Sequence, residues 1–291
     1  MSEVLQQDLS QGVGSHSMLM IELLFEEKPD IIDIDTLQKA AEETFGETDV
    51  VSGDGKLLSL AVKKHIGHYA DGKVCPAFAV LGQDLTFDSK DIDVLERSQF
   101  WDVRDGEELL DRCRYKCFVS DMMSAGLDYK ERCDLVMDWL ECVLPLFPGC
   151  IAVRTVASGK LMTPDSILNG SIPKDRRFIS RCVNARFFRI EGTDSDMVVD
   201  TLGMFAVDLP EVQLHFHGLD PNAVVNYVYS ICGYNYDNNA PIESGEVIDG
   251  LGDDGKISMD VQWRCQYEDS LIQPVRCVLD VNAGEFAAGQ R

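Results

Sequence analysis

Apolar residues recur along this chain at two spacings, and the switches between them mark its elements. Met18-Leu-Met-Ile-Glu-Leu-Leu-Phe25 reads as an apolar strand. Over 35–45, Leu37, Ala40, Ala41 and Phe45 share one helical face before Gly46 stops the helix. Extended runs follow, among them 57–62 and 75–81. The turns Gly53-Asp-Gly-Lys56 and Ala70-Asp-Gly-Lys73 have hairpin chemistry, because glycine takes a positive φ without strain. Asp-Gly-Lys recurs at 254–256 ahead of another strand; its flanks do not repeat at a fixed period, so this is turn chemistry used again. The strongest helical stripe is 128–144, with Cys133, Val136, Met137, Leu140, Val143 and Leu144 opposite Lys130, Asp134, Asp138 and Glu141. Asp128 and Glu131 stand at capping-box spacing. Strands at 115–121 and 150–156 make a strand, helix, strand unit around it.

A Ser-Gly-Lys turn and a short helix from Pro164 lead to Asn169-Gly-Ser-Ile-Pro-Lys174, the best candidate boundary. Beyond it, strands are expected near 179–190, 196–207 and 211–217. A helix starts at Asp220 with Pro221 in its first position and carries Val224, Val225, Val228 and Ile231. Further strands are expected near 257–266 and 274–281. Helices and strands mix without steady alternation, which predicts an α+β fold: mixed, largely antiparallel sheets with helices packed on one face, in two structurally related or adjoining halves. The expected organisation is a flexible tail over 1–17, an N-terminal half over 18–170 and a C-terminal half over 171–291, the halves either separate or one continuous domain.

Composition narrows the setting. With 291 residues, 45% of them hydrophobic, the chain has enough apolar material for a sizeable core. Fifty acidic against 26 basic residues give a formal charge of −24, which repels nucleic acid and anionic bilayers. Ten cysteines, mostly in apolar runs, are too sparse for a disulfide scaffold and fit a reducing cytoplasm. No apolar run has the length of a membrane span, and the residues before Met18 lack the basic charge of a signal peptide.

Several motifs carry chemistry elsewhere and are outweighed here. His65-Ile-Gly-His68 spells the phosphate-cradling tetrapeptide of class I aminoacyl-tRNA synthetases, yet it precedes an Asp-Gly hairpin instead of opening a helix. Ala157-Ser-Gly-Lys160 lacks the upstream glycine of a phosphate loop and is followed by Leu161, so no hydroxyl is placed for Mg²⁺. Cys113 and Cys117 have no second cysteine pair at ligand spacing, and the acidic stretch 237–254 does not follow EF-hand spacing and reads as a solvated loop. The basic stretch Lys174–Arg189 reads as internal counterions in preference to an anion site. No catalytic, metal or cofactor-binding residues are assigned.

Two histidines of the chain's five, His215 and His217, stand one residue apart. Strand alternation turns Val212, Leu214 and Phe216 to the core and Glu211, Gln213, His215 and His217 to the polar face, the two imidazoles about 7 Å apart. Shared ligation would need a third ligand from elsewhere, so a solvated or rim-forming pair is expected. On that reading Leu214→Ala costs about 2–5 kcal/mol and His215→Ala under about 0.5.

The stretch Thr201-Leu-Gly-Met-Phe-Ala-Val-Asp-Leu-Pro-Glu-Val-Gln-Leu-His-Phe-His-Gly-Leu-Asp-Pro-Asn222 and the helix after it resemble the bacterial domain-of-unknown-function family DUF4261. Phe100-Trp-Asp102 ahead of Tyr115-Lys-Cys-Phe-Val-Ser120, and Trp263-Arg-Cys-Gln-Tyr-Glu-Asp-Ser-Leu271, are similar to it in the same order. The resemblance covers most of 18–281. It implies a bacterial, intracellular, globular protein and transfers no catalytic residues. The first functional expectation is a cytoplasmic, non-catalytic binding protein, regulatory or protective, with a basic protein partner; immunity toward a basic toxin is one concrete form. The alternative is an enzyme or binding protein for a small anionic ligand, held by Arg186, Arg189, His215 and His217 around a cleft.

Overall fold

The computed structural model describes Gly12 and residues 18–289, which divide into two compact units between Cys182 and Val183. The tail expected over 1–17 lies, Gly12 apart, outside the described residues; Gly12 itself bridges to Val275. The chain is α+β, with mostly antiparallel open sheets.

The first unit runs β1 (Met20–Phe25), α1 (Ile34–Phe45), β2 (Thr48–Gly53), β3 (Leu57–Val62), β4 (Gly67–Tyr69), β5 (Gly72–Val74), β6 (Ala77–Thr86), α2 (Val94–Arg97), α3 (Gly106–Arg112), β7 (Tyr115–Met122), α4 (Tyr129–Val143), β8 (Cys150–Thr155), β9 (Leu161–Met162), α5 (Pro164–Leu168) and α6 (Arg177–Cys182). Seven strands form one antiparallel sheet in the order β2-β3-β6-β7-β1-β8-β9. Both β7 and β8 lie antiparallel to β1, so they are parallel to each other, and the expected strand, helix, strand unit closes around an inserted central strand. Asp33 caps α1 at the Thr36 N–H and Gly46 ends it at φ 80°, a conformation only glycine adopts without strain. Asp128 caps α4 as the spacing predicts, but Glu131 turns to His65 instead of back to the helix start.

Rings from α1, β6 and α4 lock one face: Phe45 stacks on Phe78 at 5.9 Å, and Trp139 lies 5.7 Å from Phe78 and 6.2 Å from Phe45. The opposite face carries a second core of Leu24, Phe87, Phe100, Val103, Leu110, Ala152 and Leu161. Thus α1 and α4 take one face as expected, while the short α2 and α3 segment, unassigned in the sequence reading, covers part of the other. Beside this second core Glu22 bonds Lys116 at 2.8 Å and Arg154 at 2.5 Å, and Arg154 forks onto Glu96 at 2.5 and 3.0 Å.

The second unit runs β10 (Asn184–Arg189), β11 (Met197–Leu202), β12 (Glu211–Phe216), α7 (Pro221–Asn238), β13 (Val247–Leu251), β14 (Ile257–Asp269) and β15 (Cys277–Asn282). Its sheet order is β10-β11-β12-β15-β14-β13, antiparallel except for the β12 and β15 pair. Helix α7 packs on β10, β11 and β12, burying Val224, Tyr227, Val228, Ile231 and Cys232. Two expectations are corrected. The strand expected from 179 begins only at Asn184, because 177–182 is helical and sets Arg177 and Arg181 one turn apart on the α4 carboxylates. The acidic stretch 237–254, read as a solvated loop, contains β13. Gly250 disguises it in sequence, although an added Cβ there would meet the Trp263 ring at 2.6 Å. The three Asp-Gly-Lys triplets stand at hairpin turns, the second with Gly72 and Lys73 already in β5, and φ is 80°, 146° and 71° at Gly55, Gly72 and Gly255. Among the described residues no helix is long and apolar enough to cross a membrane.

Candidate functional site

Strand β12 is central in its sheet, and both of its faces are covered. Val212, Leu214 and Phe216 are fully buried on the α7 side, as alternation requires. Glu211 and Gln213, expected to meet solvent, have no exposed surface either. The reason is the chain that follows β14: the Leu271 N–H donates to Gln213 Oε1 at 2.7 Å, and the Gln273 carbonyl accepts from Arg186 Nη1 at 2.9 Å, so 270–276 folds back across that face.

Beneath this cover lies a polar core. Arg186 forks onto Asp200 at 2.9 and 2.6 Å, and Arg276 Nη2 reaches the same carboxylate at 2.6 Å. Arg276 also donates to the carbonyls of Ile272, Pro274 and Thr201. Burial pushes the Asp200 carboxyl up, but the two guanidinium groups together outweigh it and hold it below the ordinary carboxylate range. Glu211 accepts from the Thr201 hydroxyl at 2.7 Å and from the Gly203 and Phe205 N–H groups at 2.6 and 3.1 Å. Burial dominates there and leaves Glu211 above its usual range despite Arg276 and these donors. Gln213 Nε2 continues the network to Asp280 at 3.0 Å.

The four residues singled out from sequence are placed as follows. Arg186 and His215 share a face, since Arg186 sits opposite Asp200 and Phe188 opposite Val198, whose partner is His215. The Arg186 guanidinium is committed to Asp200 and Gln273. Arg189, three residues on, is turned to the other face and exposed. His215 and His217 are half-buried along 284–289: the His215 carbonyl accepts from the Ala288 N–H at 3.0 Å, and the His217 N–H donates to the Phe286 carbonyl at 2.9 Å. A Cβ on Gly289 would stand 3.0 Å from the His215 ring. The Arg186 and Arg189 side chains lie on opposite faces, so the four do not converge, and two grooves of this unit, at the start of α7 and between α7 and β13, are lined by other residues. Leu214→Ala is expected to cost about 2–5 kcal/mol, and His215→Ala, with its ring packed at 289, about 0.5–1.5 kcal/mol. Paired thermal melts measure the ratio.

The other motifs resolve into structural contacts. His65 Nδ1 lies 2.6 Å from Glu131 on α4, and the His68 N–H donates to the Gly126 carbonyl at 2.8 Å, strapping the β4–β5 hairpin onto the loop before α4. Lys160 is buried and pairs with Asp102 at 2.9 Å, while an added Cβ at Gly159 would meet Glu96 at 2.4 Å. That turn faces acids, a poor surrounding for phosphate. The basic stretch is spent largely on counterions: Lys174 on Asp138, Arg177 on Asp138 and Glu141, Arg181 on Glu141, and Arg186 on Asp200. All ten cysteines are free thiols, and burial pushes Cys113, Cys150, Cys182 and Cys265 up to about 12, far from a reactive thiolate. Among the described residues no three His, Cys, Asp or Glu side chains are gathered to hold a metal ion.

The residues that organise the second unit, Asp200, Glu211 and Arg276, were not singled out from sequence. The signal for the ion pair was a lone acid in the apolar strand Met-Val-Val-Asp-Thr-Leu and a lone arginine just ahead of Cys-Val-Leu-Asp-Val-Asn, each out of place unless paired. Residues 200–282 match the family model described as Domain of unknown function (DUF4261), the family the sequence resembles. No curated protein and no solved structure matches the chain.

Proposed function

We propose that this is a bacterial, cytoplasmic protein that acts without catalysis, by binding a basic partner protein in a regulatory or protective role such as immunity toward a basic toxin. The observation that carries the reading is the fate of the charges. Among the described residues seven cationic side chains are buried (Arg132, Arg154, Lys160, Arg177, Arg181, Arg186 and Arg276) against five acidic ones (Glu22, Asp121, Asp200, Glu211 and Asp280). Burial thus removes more positive charge than negative, and the surface keeps the whole acidic excess of a chain with formal charge −24. Such a field speeds encounter with a basic protein and disfavours acidic competitors. Ten free thiols suit a reducing compartment.

Affinity recovery from the native host at low and moderate salt tests this. A stoichiometric basic partner is expected, with recovery falling as salt rises because the attraction is screened over about 10 Å at 0.1 M. Recovery of no such partner at low salt removes the reading.

A further inference from the structure

In the order of the second sheet β13 is terminal, so its outer edge pairs with no strand among the described residues. The direction of that edge follows from the ladder. The Glu246 carbonyl accepts from the Cys265 N–H at 2.8 Å and Ile248 stands opposite Trp263, so alternation turns the main-chain groups of Val247 and Asp249 outward. Tyr227 Oη, reaching from α7, donates to the Asp249 carbonyl at 2.8 Å and so marks the outward side. Between that edge and α7 runs an open groove of about 660 Å³ whose apolar lining includes Tyr227, Ile231, Tyr234, Ile242, Ile248 and Ile257.

Three further features bear on what fills it. Large apolar side chains stand out around the groove: Tyr234 and Val247 are each 53% exposed, Ile257 51% and Met259 84%. Met259 is thrown out by a bulge, since Asp249 faces Gln262 while Gly250 faces Ser258. Between Asp237 and Gln262 there are seven acids and a single lysine, Lys256, which sits 3.7 Å from Asp254. The β13 and β14 hairpin is packed against α7, where Trp263 meets Tyr227 edge to face at 5.2 Å over the space left by Gly250. Exposed edges are commonly blunted by lysine, proline or a covering strand; β13 contains neither residue, and no strand covers it among the described residues. Its acids repel a second acidic copy and attract a basic strand.

We propose that the groove between α7 and the outer edge of β13 receives an extended segment of the basic partner, alternating cationic and apolar residues, which adds to the sheet as a further strand. The inference rests on the binding reading above and assigns it a surface. Main-chain bonds to Val247 and Asp249 would give register, the apolar floor would take alternate side chains, and Glu243, Glu246 and Asp253 would meet the cations.

The test uses the full chain and fluorescent short peptides read by anisotropy: one alternating lysine with valine and isoleucine, the same peptide with glutamate for lysine, and the lysine peptide N-methylated along one edge. The lysine peptide is expected to bind, and each of the other two to bind about tenfold weaker or worse. Val247→Pro, which blocks the outward N–H, and the pair Glu246→Lys with Asp249→Lys should each weaken the lysine peptide by about tenfold, whereas Glu42→Lys with Glu43→Lys on α1 should not. Thermal melts confirm that the variants fold, and the charge pair carries the result should the proline variant not. Unchanged binding in both groove variants, or equal binding of the N-methylated peptide, overturns this inference while leaving a basic partner possible elsewhere. Sedimentation as a dimer that Val247→Pro dissolves would overturn it in favour of a second copy. No binding of the lysine peptide removes the proposed groove occupant, and only that result together with a partnerless affinity recovery removes both proposals.

Discussion

Asp200→Ala is expected to lower stability by about 3–5 kcal/mol, the cost of removing one partner from a buried ion cluster. The side chain has no exposed surface and stands between Arg186 and Arg276, themselves buried. Removing it leaves two guanidinium groups facing each other in a medium that screens poorly, their remaining hydrogen bonds going to the carbonyls of Gln273, Ile272, Pro274 and Thr201. The sign of the pH dependence follows from the lowered carboxyl. A group ionised more readily in the folded chain than in the unfolded one stabilises the fold above its ordinary value of 3.8 and loses that contribution as pH falls through the lower folded value. Urea unfolding from neutrality down past pH 3.8, followed by the fluorescence of buried Trp263, should therefore show a steeper acid loss in the wild type than in Asp200→Asn. An Asp200→Ala protein as stable as the wild type would mean the triad contributes nothing beyond its desolvation cost.

Trp139→Ala is expected to cost a similar amount, about 3–5 kcal/mol, for a different reason. Trp139 is fully buried, ringed by Phe45 and Phe78, and donates its indole N–H to the Ala79 carbonyl at 3.2 Å. Truncation opens a cavity where α1, α4 and the first sheet meet, and only partial collapse can follow because each neighbour is anchored in a different element. Trp139→Phe keeps most of the volume and should cost about 1–3 kcal/mol, mainly through the lost bond and the smaller ring. Denaturant midpoints of the two variants, compared at one temperature, give the ratio. A salt-independent effect here beside a pH-dependent one at Asp200 would separate packing from charge.

The longer helices α1, α4 and α7 are legible because their signals are local. Asp33, Asp128 and Asp220 cap the starts, Gly46 ends the first helix, and the apolar stripes lie within the segments they define. The hairpins were legible for the same reason, through Asp-Gly. The polar face of β12 was not. Alternation correctly separated Leu214 from Gln213, but whether Gln213 meets water depends on Leu271, 58 residues away, and nothing near Gln213 records that. Arg177 and Arg181 mark the same limit: their spacing suits a helix, yet the apolar neighbours Phe178 and Ile179 suited a strand, and the choice is made by carboxylates on α4. Placing the boundary at Asn169-Gly170 followed turn chemistry, whereas the division after Cys182 follows those ion pairs. Among the four candidate residues, alternation sets His215 and His217 on the face of β12 away from Leu214, where both are half-buried; it could not show that the Arg186 guanidinium is occupied by Asp200.

The one parallel pair in the second sheet has a kinetic meaning. Strands β10, β11 and β12 follow one another as a meander, and β13, β14 and β15 do the same, so each trio can zip up from its own turns. In the strand order the two trios are joined by the β12 and β15 pair, where Gln213 bonds Asp280 across 67 residues of chain, and beside it Asp200 of β11 bonds Arg276, just ahead of β15, across 76. Closing so long a loop is slow, and it must happen with charged groups still in water. On loop-closure grounds the seam that buries Asp200 is expected to form late in this half of the chain, after each trio has zipped from its own turns.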